Sequence, residues 1–239
     1  MGFWSGDRGV GVGVYCKGEI YMENRTYDFE VLRGITACFI GDSLFAGHGI
    51  GKENSWINLL GEKYSMRYTN YGINGCTISA CEGCSMPIVK RYVEMTEEDP
   101  DLVVFEGGRN DFNKGAVIGS VDEPDESTMC GAIAIIVKGL REKYPNAKLV
   151  AVPFWDTATV RDGRVSNDYV EAMIGACLAL GVDLINSYSA AESGINMRDA
   201  DFRAKYCYVP GDVCHLNEEG MKLAMPYFER ELARLLSER

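Results

Sequence analysis

Residues 35–44, with the sequence ITACFIGDSL, join a short apolar run to a polar turn in this 239-residue chain. The apolar part, 35–40, shows no alternation of polar and apolar residues, which is typical of a strand buried on both faces of a parallel sheet. Four more runs of this kind follow it, at 66–71, 102–105, 148–153 and 182–186. Helix-patterned segments separate them, so the sequence predicts a three-layer α/β/α sandwich around a central, mainly parallel five-stranded sheet.

Helices are predicted over five segments, which lie between the apolar runs or after the last one: 55–64, 86–95, 128–144, 166–180 and 218–236. Ser166 and Asn217 are placed to act as N-caps, and Gly181 is placed to end a helix. Pro226 lies inside the last segment, where its missing N–H predicts a kink or a split.

The N-terminal residues do not follow this alternation. Residues 9–15 and 19–27 predict a small β extension with no obvious chemistry. We therefore expect an extension over 1–33 and one domain over 34–239. The oligomeric state is left open, although the extension could pair with another chain.

The composition is that of a globular protein, with 46% hydrophobic and 25% charged residues. The 24 Lys and Arg residues against 35 Asp and Glu residues give a net charge of −11. Since such a chain repels phosphate backbones, we expect no nucleic-acid partner. No apolar run approaches the roughly 20 residues that cross a bilayer, so we also expect no membrane span.

The cysteine count bears on the cellular compartment, because nine cysteines cannot all pair within one chain. The N-terminal stretch also lacks the basic start and continuous apolar segment of a secretory signal, so a cytoplasmic location is expected. The alternative that Met1 and Gly2 replace a secretory leader would give the same sequence, so it stays open.

Three of the cysteines, Cys76, Cys81 and Cys84, lie within nine residues. The Cys-x-x-Cys spacing can form half of a zinc site, for which Cys207 and Cys214 are the distant candidates. A disulfide is a second alternative, and buried or redox-idle thiols are a third. We favour thiols and expect no bound metal.

Polar motifs stand where a parallel α/β sheet collects its ligands, at the carboxyl ends of the strands. They are 41–44 (GDSL), 70–75 (NYGING), 107–111 (GGRND) and, just before the last helix, 212–215 (DVCH). Together they supply a hydroxyl, a glycine amide, a carboxamide and an Asp/His pair. A serine nucleophile needs a base, the base needs an orienting carboxylate, and the oxyanion needs fixed donors. The set therefore indicates acyl transfer.

The four motifs resemble, in the same order, the sequence blocks of the SGNH hydrolases, the GDSL esterase and lipase family. The resemblance covers about residues 35–225 and implies the flavodoxin-like sandwich of that family. The chain contains no Gly-x-Ser-x-Gly elbow, which argues against the ordinary α/β-hydrolase fold.

The resemblance also implies a role for each motif. Ser43 is the nucleophile, and its backbone N–H, the N–H of Gly75 and the Asn110 side chain form the oxyanion hole. His215 is the general base and Asp212 orients it. The spacing of Asp212 and His215 also has a physical reason, because a carboxylate three residues before a histidine can reach one ring nitrogen and leave the other facing the serine. We expect a metal-independent serine esterase with no cofactor.

Each of these residues has a structural alternative. Ser43 could be only a helix cap or turn residue, and Gly75 could only permit a positive φ. Asn110 could be a turn former, followed by an N-cap at Asp111. The complete set favours catalysis. His48, the other histidine of the chain, is interpreted as a surface or rim residue.

Asp42, Arg109 and Trp155 are the candidates for contact with the substrate. Arg109 offers a fork of donors to an anionic group, although pairing with a carboxylate of the chain is the favoured alternative. Trp155 could form an aromatic wall of the cleft or only pack.

The loops around the predicted cleft are polar, charged or rich in glycine: 78–87, 111–127, 161–165 and 191–211. A long acyl chain would need an apolar lining. We therefore expect hydrolysis of short-acyl esters, in particular acetyl esters, of a polar alcohol such as a carbohydrate. The alternatives are a lysophospholipase or thioesterase with a longer acyl pocket, and a non-catalytic carbohydrate-binding protein on the same fold.

Overall fold

The computed structural model describes residues 12–16, 19–23 and 27–238 of the chain. The first two of these ranges form a hairpin, in which β1 (Val12–Cys16) pairs antiparallel with β2 (Glu19–Glu23). This pairing agrees with the β structure predicted near the N-terminus. Residues 9–11 and 24–26 of the predicted strands lie outside the described residues.

The other strands are short: β3 (Thr36–Ile40), β4 (Arg67–Asn70), β5 (Leu102–Gly107), β6 (Lys148–Pro153), β7 (Val160–Arg161), β8 (Arg164–Val165) and β9 (Asp183–Leu184). All except β7 and β8, which pair with each other, form one parallel sheet in the order β4-β3-β5-β6-β9. Counted along the chain, this is the flavodoxin-like order 2-1-3-4-5. The predicted sheet is confirmed, although β9 is shorter than predicted.

The helices of the described residues are α1 (Ser43–Ala46), α2 (Trp56–Tyr64), α3 (Ile88–Arg91), α4 (Arg109–Lys114), α5 (Met129–Lys143), α6 (Ser166–Ala179), α7 (Ala190–Ser193), α8 (Ala200–Tyr206) and α9 (Glu218–Ser237). α2 packs against α9, while α5 packs against α3 and α6, so that helices flank the sheet. The predicted helix 86–95 is a shorter α3 followed by a 3-10 turn, Tyr92–Glu94. None of the described helices combines the length and apolar character that crossing a bilayer requires.

Two of the predicted helix ends are confirmed. Asn217 Oδ1 accepts the N–H of Gly220, 2.9 Å away, at the start of α9. Gly181, just after α6, has a φ of 64°, and its N–H donates to the carbonyl of Leu178. A left-handed glycine is a common end to a helix because it has no Cβ to clash.

Two predictions about helices need correction. Ser166 is the first residue of α6 and not its N-cap, because its Oγ accepts the N–H of Thr159 in the preceding loop. Pro226 does not split the last helix, since α9 runs unbroken through it. Phe228 stacks on Trp56 with ring centroids 4.2 Å apart, which holds this stretch of α9 on α2 although the proline removes one hydrogen bond.

The register of the sheet determines where the polar motifs meet. Ile40 at the end of β3 pairs with Phe105 of β5, and Phe39 pairs with Asn70 at the end of β4. The segments that leave these three strands therefore start at one edge of the sheet. In open α/β sheets the binding crevice lies where the strand order reverses, which here is between β3 and β5.

Candidate active site

Ser43 lies at the crevice, at the first position of α1 directly after the turn that leaves β3. Asp42 caps this helix, because its Oδ1 accepts the N–H of Leu44 at 3.0 Å. The Ser43 side chain is 2.9 Å from His215 Nε2, measured from Oγ. Its backbone N–H belongs to the first turn of a helix, where no intrahelical acceptor exists. Hydroxyl and N–H of the same residue are therefore both available at this edge of the sheet.

His215 and Asp212 stand on the loop before α9 and form the contact that their spacing predicts. His215 Nδ1 is 3.0 Å from Asp212 Oδ2. The other carboxylate oxygen, Oδ1, accepts the backbone N–H groups of Cys214 at 2.7 Å and of His215 at 3.0 Å. The carboxylate thus shapes the loop and holds the ring. With Nδ1 protonated toward Asp212, Nε2 is left to accept the Ser43 hydroxyl proton.

Hydrogen bonding keeps the Asp212 carboxyl ionised. Burial alone would raise its pKa, but the bonds from the His215 side chain and from the backbone N–H groups of His215 and Cys214 outweigh burial and lower the pKa to about 2. A carboxylate that stays charged can stabilise the imidazolium that forms when His215 accepts a proton.

Gly75 and Asn110 come from the segments after β4 and β5. Gly75 is exposed, has a φ of 77°, and has open space where a Cβ would be. Asn110 Nδ2 donates to the carbonyl of Cys76 and to Asp42 Oδ2, both at 2.9 Å. Both amide hydrogens are therefore engaged, and a substrate oxygen would have to share or replace the Cys76 carbonyl.

Asp111 is a supporting residue that sequence reasoning missed. It lies inside α4, whose N-cap position is Gly108, so the alternative of an N-cap at Asp111 is wrong. Its Oδ2 accepts the N–H of Ile78 at 2.8 Å, and its Oδ1 accepts the N–H and the hydroxyl of Ser79. These bonds tie the loop that carries Gly75 to the helix that carries Asn110. The position of Asp111 next to Asn110 was the only indication of this role in the sequence. Its partner Ser79 is 32 residues away, and the sequence does not show that contact.

The three candidates for substrate contact lie behind the site instead of lining it. Asp42 is fully buried, with its oxygens turned to Leu44 and Asn110. Trp155 is 2% exposed, and its indole N–H donates to the carbonyl of Cys214 at 2.8 Å. Trp155 therefore supports the His215 loop and does not form an open aromatic wall.

Arg109 is also buried, and neither expectation for it describes its surroundings. Its Nη1 donates to Thr157 Oγ1 at 2.9 Å, and the guanidinium lies 5.2 Å from the centre of the Phe112 ring. Among residues 27–238 the ion pairs do not include Arg109. The residue connects α4 to the loop after β6.

His48 lies closer to the catalytic residues than its place in the sequence indicates. It is half-buried, and the centre of its ring is 4.3 Å from that of His215. Tyr208 contacts the ring of His48 edge-on at 5.6 Å. The rim position predicted for His48 is thus beside the base.

The loop 76–84, which carries three cysteines, has unpaired thiols. Cys76, Cys81 and Cys84 are free, and so are the other cysteines within 27–238. Within the described residues, no group of three or more His, Cys, Asp or Glu side chains is placed to hold a metal ion. Burial raises the pKa of the Cys76 thiol, which donates to the carbonyl of Gly41. Cys76 therefore serves as packing behind the nucleophile turn.

Comparisons with known proteins agree with this geometry. Residues 39–223 match the model of the GDSL-like Lipase/Acylhydrolase family. A comparison with curated proteins gives no significant match.

Solved structures share the fold. A protein from Lactobacillus plantarum is 22% identical over 87% of this chain and 98% of its own, with a TM-score of 0.71. A possible lipase from Chitinophaga pinensis is 16% identical over 86% of this chain and 100% of its own, with a TM-score of 0.66. The psychrotrophic esterase EstA from Pseudoalteromonas sp. is 20% identical over 84% of this chain and 98% of its own, with a TM-score of 0.62. Because the family model spans most of the chain and the fold agrees, the protein belongs to the GDSL-like lipase/acylhydrolase family, the SGNH hydrolases.

Proposed function

We propose that this hydrolase is a serine esterase that cleaves short-acyl esters, in particular acetyl esters, of a polar alcohol such as a carbohydrate. One observation carries the proposal: Ser43 Oγ, His215 and Asp212 form a continuous chain of hydrogen bonds, at 2.9 Å and 3.0 Å. This is the arrangement that turns a weak hydroxyl nucleophile into an effective one.

The first half-reaction acylates Ser43. His215 Nε2 takes the hydroxyl proton as Oγ attacks the ester carbonyl, and the resulting imidazolium is stabilised by Asp212. The same proton then passes to the leaving alcohol oxygen as the bond from that oxygen to the carbonyl carbon breaks. In the second half-reaction a water loses a proton to His215 and attacks the acyl carbon. The bond from that carbon to Ser43 Oγ then breaks as His215 returns the proton to Oγ, which releases the acid and restores the enzyme. Since every step uses groups of the chain, overnight chelation should leave turnover unchanged.

The oxyanion of each tetrahedral intermediate is proposed to bind the N–H groups of Ser43 and Gly75 and the Asn110 side chain. Asp42 holds one hydrogen of the Asn110 amide, and the oxyanion is proposed to share the other with the Cys76 carbonyl or to replace that carbonyl. Donors fixed before the reaction stabilise the charge without reorganisation.

The preference for a short acyl group is supported by the polar, charged or glycine-rich loops around the predicted cleft, at 78–87, 111–127, 161–165 and 191–211. A buried methylene gains ~0.8 kcal/mol only where its surroundings are apolar. Loops of this composition are unsuited to a long acyl chain.

The test is the acyl-chain profile of a single alcohol. Acetyl, butyryl, octanoyl and palmitoyl esters would be compared by kcat/KM, with Ser43→Ala as the blank, and a maximum at acetyl is expected. A maximum at octanoyl or longer would favour the lysophospholipase or thioesterase alternative. Sugar binding without turnover, unchanged in Ser43→Ala, would favour the non-catalytic alternative.

Location and domain organisation are proposals of the same kind. We propose a cytoplasmic protein, supported by the free thiols of the described residues. We also propose that 34–239 forms the hydrolase domain and that 1–33 is an addition to it. Cell fractionation tests the first, and activity of a chain that lacks residues 1–33 tests the second.

A further inference from the structure

A second carboxyl group lies directly behind the nucleophile turn. Glu106, in the central strand β5, is fully buried, and so is Asp42. The N–H of Asp42 donates to Glu106 Oε2 at 2.9 Å. The other oxygen, Oε1, is buried and has no hydrogen-bond partner among the described residues. A buried glutamate with an unpartnered oxygen is costly unless that oxygen has a role.

The turn leaves room for this carboxyl group. A Cβ on Gly41 would lie 2.6 Å from Glu106 Oε2 and 2.8 Å from the Phe45 ring. Real atoms do not approach so closely, so only glycine at 41 allows the glutamate to sit against the turn. The first residue of the Gly-Asp-Ser-Leu motif is thus matched to Glu106 in space.

Two adjacent buried carboxyl groups cannot both be charged, and the surroundings decide which one keeps the proton. Burial raises the pKa of both, and the charge of Asp42 raises the pKa of Glu106 further, well above its ordinary range. Asp42 accepts the N–H of Leu44 and the amide of Asn110, which favour its ionised form. A side-chain hydrogen bond links the two carboxyl groups, so a proton on Glu106 has the Asp42 carboxylate as its acceptor.

The other ionisable groups nearby leave this arrangement intact. Cys76 and Cys214 lie close to both carboxyl groups and have raised pKa values because they are buried, so they remain thiols. Arg91 donates to Cys76 Sγ and to the carbonyl of Gly41, while Arg109 faces Cys214. His215 faces Asp42.

We propose that Glu106 is a positioning residue, whose protonated carboxyl group donates to Asp42 and so fixes the acceptor that orients Asn110 and caps the Ser43 helix. The inference rests on the proposed esterase function of Ser43. Without this donor, Asp42 is left as an unpaired buried charge or takes up the proton itself. In the second case it loses acceptor capacity for Leu44 and Asn110, and the oxyanion donor loses its anchor.

The activity test compares two replacements of Glu106. Glu106→Gln keeps a donor toward Asp42 and an acceptor for its N–H, so it should keep kcat within a few-fold of wild type. Glu106→Leu keeps the volume but removes both bonds, so kcat should fall by about 10²-fold, as for a misplaced catalytic group, with little change in KM. Glu229→Leu is the matched control, because Glu229 is a buried glutamate bonded to Tyr64 and Lys63 in another part of the fold. Wild-type kcat in Glu106→Leu would overturn the proposal, and so would equal losses in Glu106→Gln and Glu106→Leu.

A second measurement does not depend on turnover. A folded-state pKa raised above the unfolded value makes stability fall as pH rises from the unfolded value toward the folded one. Wild type should therefore lose stability relative to Glu106→Gln as pH rises above about 4.5, with a difference of up to one bound proton. The free energy of unfolding would be measured in urea from pH 5 to 9 for both proteins. The same pH dependence in wild type and Glu106→Gln would overturn the proposal. If wild type hydrolyses no ester, the proposed function fails, and the unfolding comparison alone decides whether the pair of Asp42 and Glu106 holds a proton.

Discussion

The indole N–H of Trp155 donates a hydrogen bond of 2.8 Å to the carbonyl oxygen of Cys214, the residue before His215. Trp155 follows β6, whereas Cys214 belongs to the loop before α9, so this bond joins the sheet to the segment that carries the base. The indole is 2% exposed, and no water replaces the bond easily. The position of His215 therefore depends on a residue that does not touch the reacting atoms.

Trp155→Phe should destabilise the protein and lower activity together. It leaves the buried Cys214 carbonyl unpaired, which costs about 1–3 kcal/mol, and it loosens the loop of His215. Urea unfolding and kcat of the same sample measure the two effects. Trp56→Phe, a buried tryptophan on α2, is the matched control. We expect Trp56→Phe to lose stability while it keeps kcat per folded molecule. Equal kcat in Trp155→Phe and Trp56→Phe would contradict the role given to Trp155.

Asn110→Ala should separate an oxyanion donor from a structural residue. Loss of one such donor costs ~10²–10³ in kcat, and KM should change little because the bond strengthens mainly in the transition state. Asn113→Ala, on the same helix, is the control. A large loss of melting temperature with full kcat per folded molecule would instead make Asn110 a turn residue.

Asp212 should make the protein sensitive to acid. Its pKa is lowered from 3.8 to about 2, so the stability it contributes is present above the unfolded value and is lost as pH falls through the folded value. The loss amounts to about 2 kcal/mol. Urea unfolding of wild type between pH 5 and 2 should show this decline, and Asp212→Asn should lack it. Asp122→Asn, an exposed aspartate, should behave as wild type. A decline of the same size in Asp212→Asn would show that the lowered pKa is not the cause.

Much of the fold could be predicted because its signals are local. The three central strands, β3, β5 and β6, are largely apolar runs, and each longer helix has a periodic pattern. The edge strand β4 is polar and half-exposed, so it is not the doubly buried strand predicted there. The short helices α1 and α4 escaped prediction, since one or two turns cannot show a helical period. The contact of His215 with Asp212 followed from spacing, because three residues on a turn limit how far two side chains can separate.

What the sequence could not show is the direction of side chains. Glu106 belongs to a buried strand, but its proximity to Asp42 depends on the register of β3 and β5. Arg109 and Trp155 look like groups for a substrate, yet packing turns them toward Thr157 and Cys214. Sequence alone therefore predicts contact with the substrate for residues that in the structure support the site from behind.

The central claim is that Ser43 attacks the ester. Its most direct test is kcat/KM on an aryl acetate for wild type and Ser43→Ala, with Ser85→Ala as a control on an exposed serine and the fold of each checked by melting. We predict that kcat/KM of Ser43→Ala falls to the background rate, while kcat/KM of Ser85→Ala matches wild type. Wild-type turnover in a correctly folded Ser43→Ala protein would contradict it.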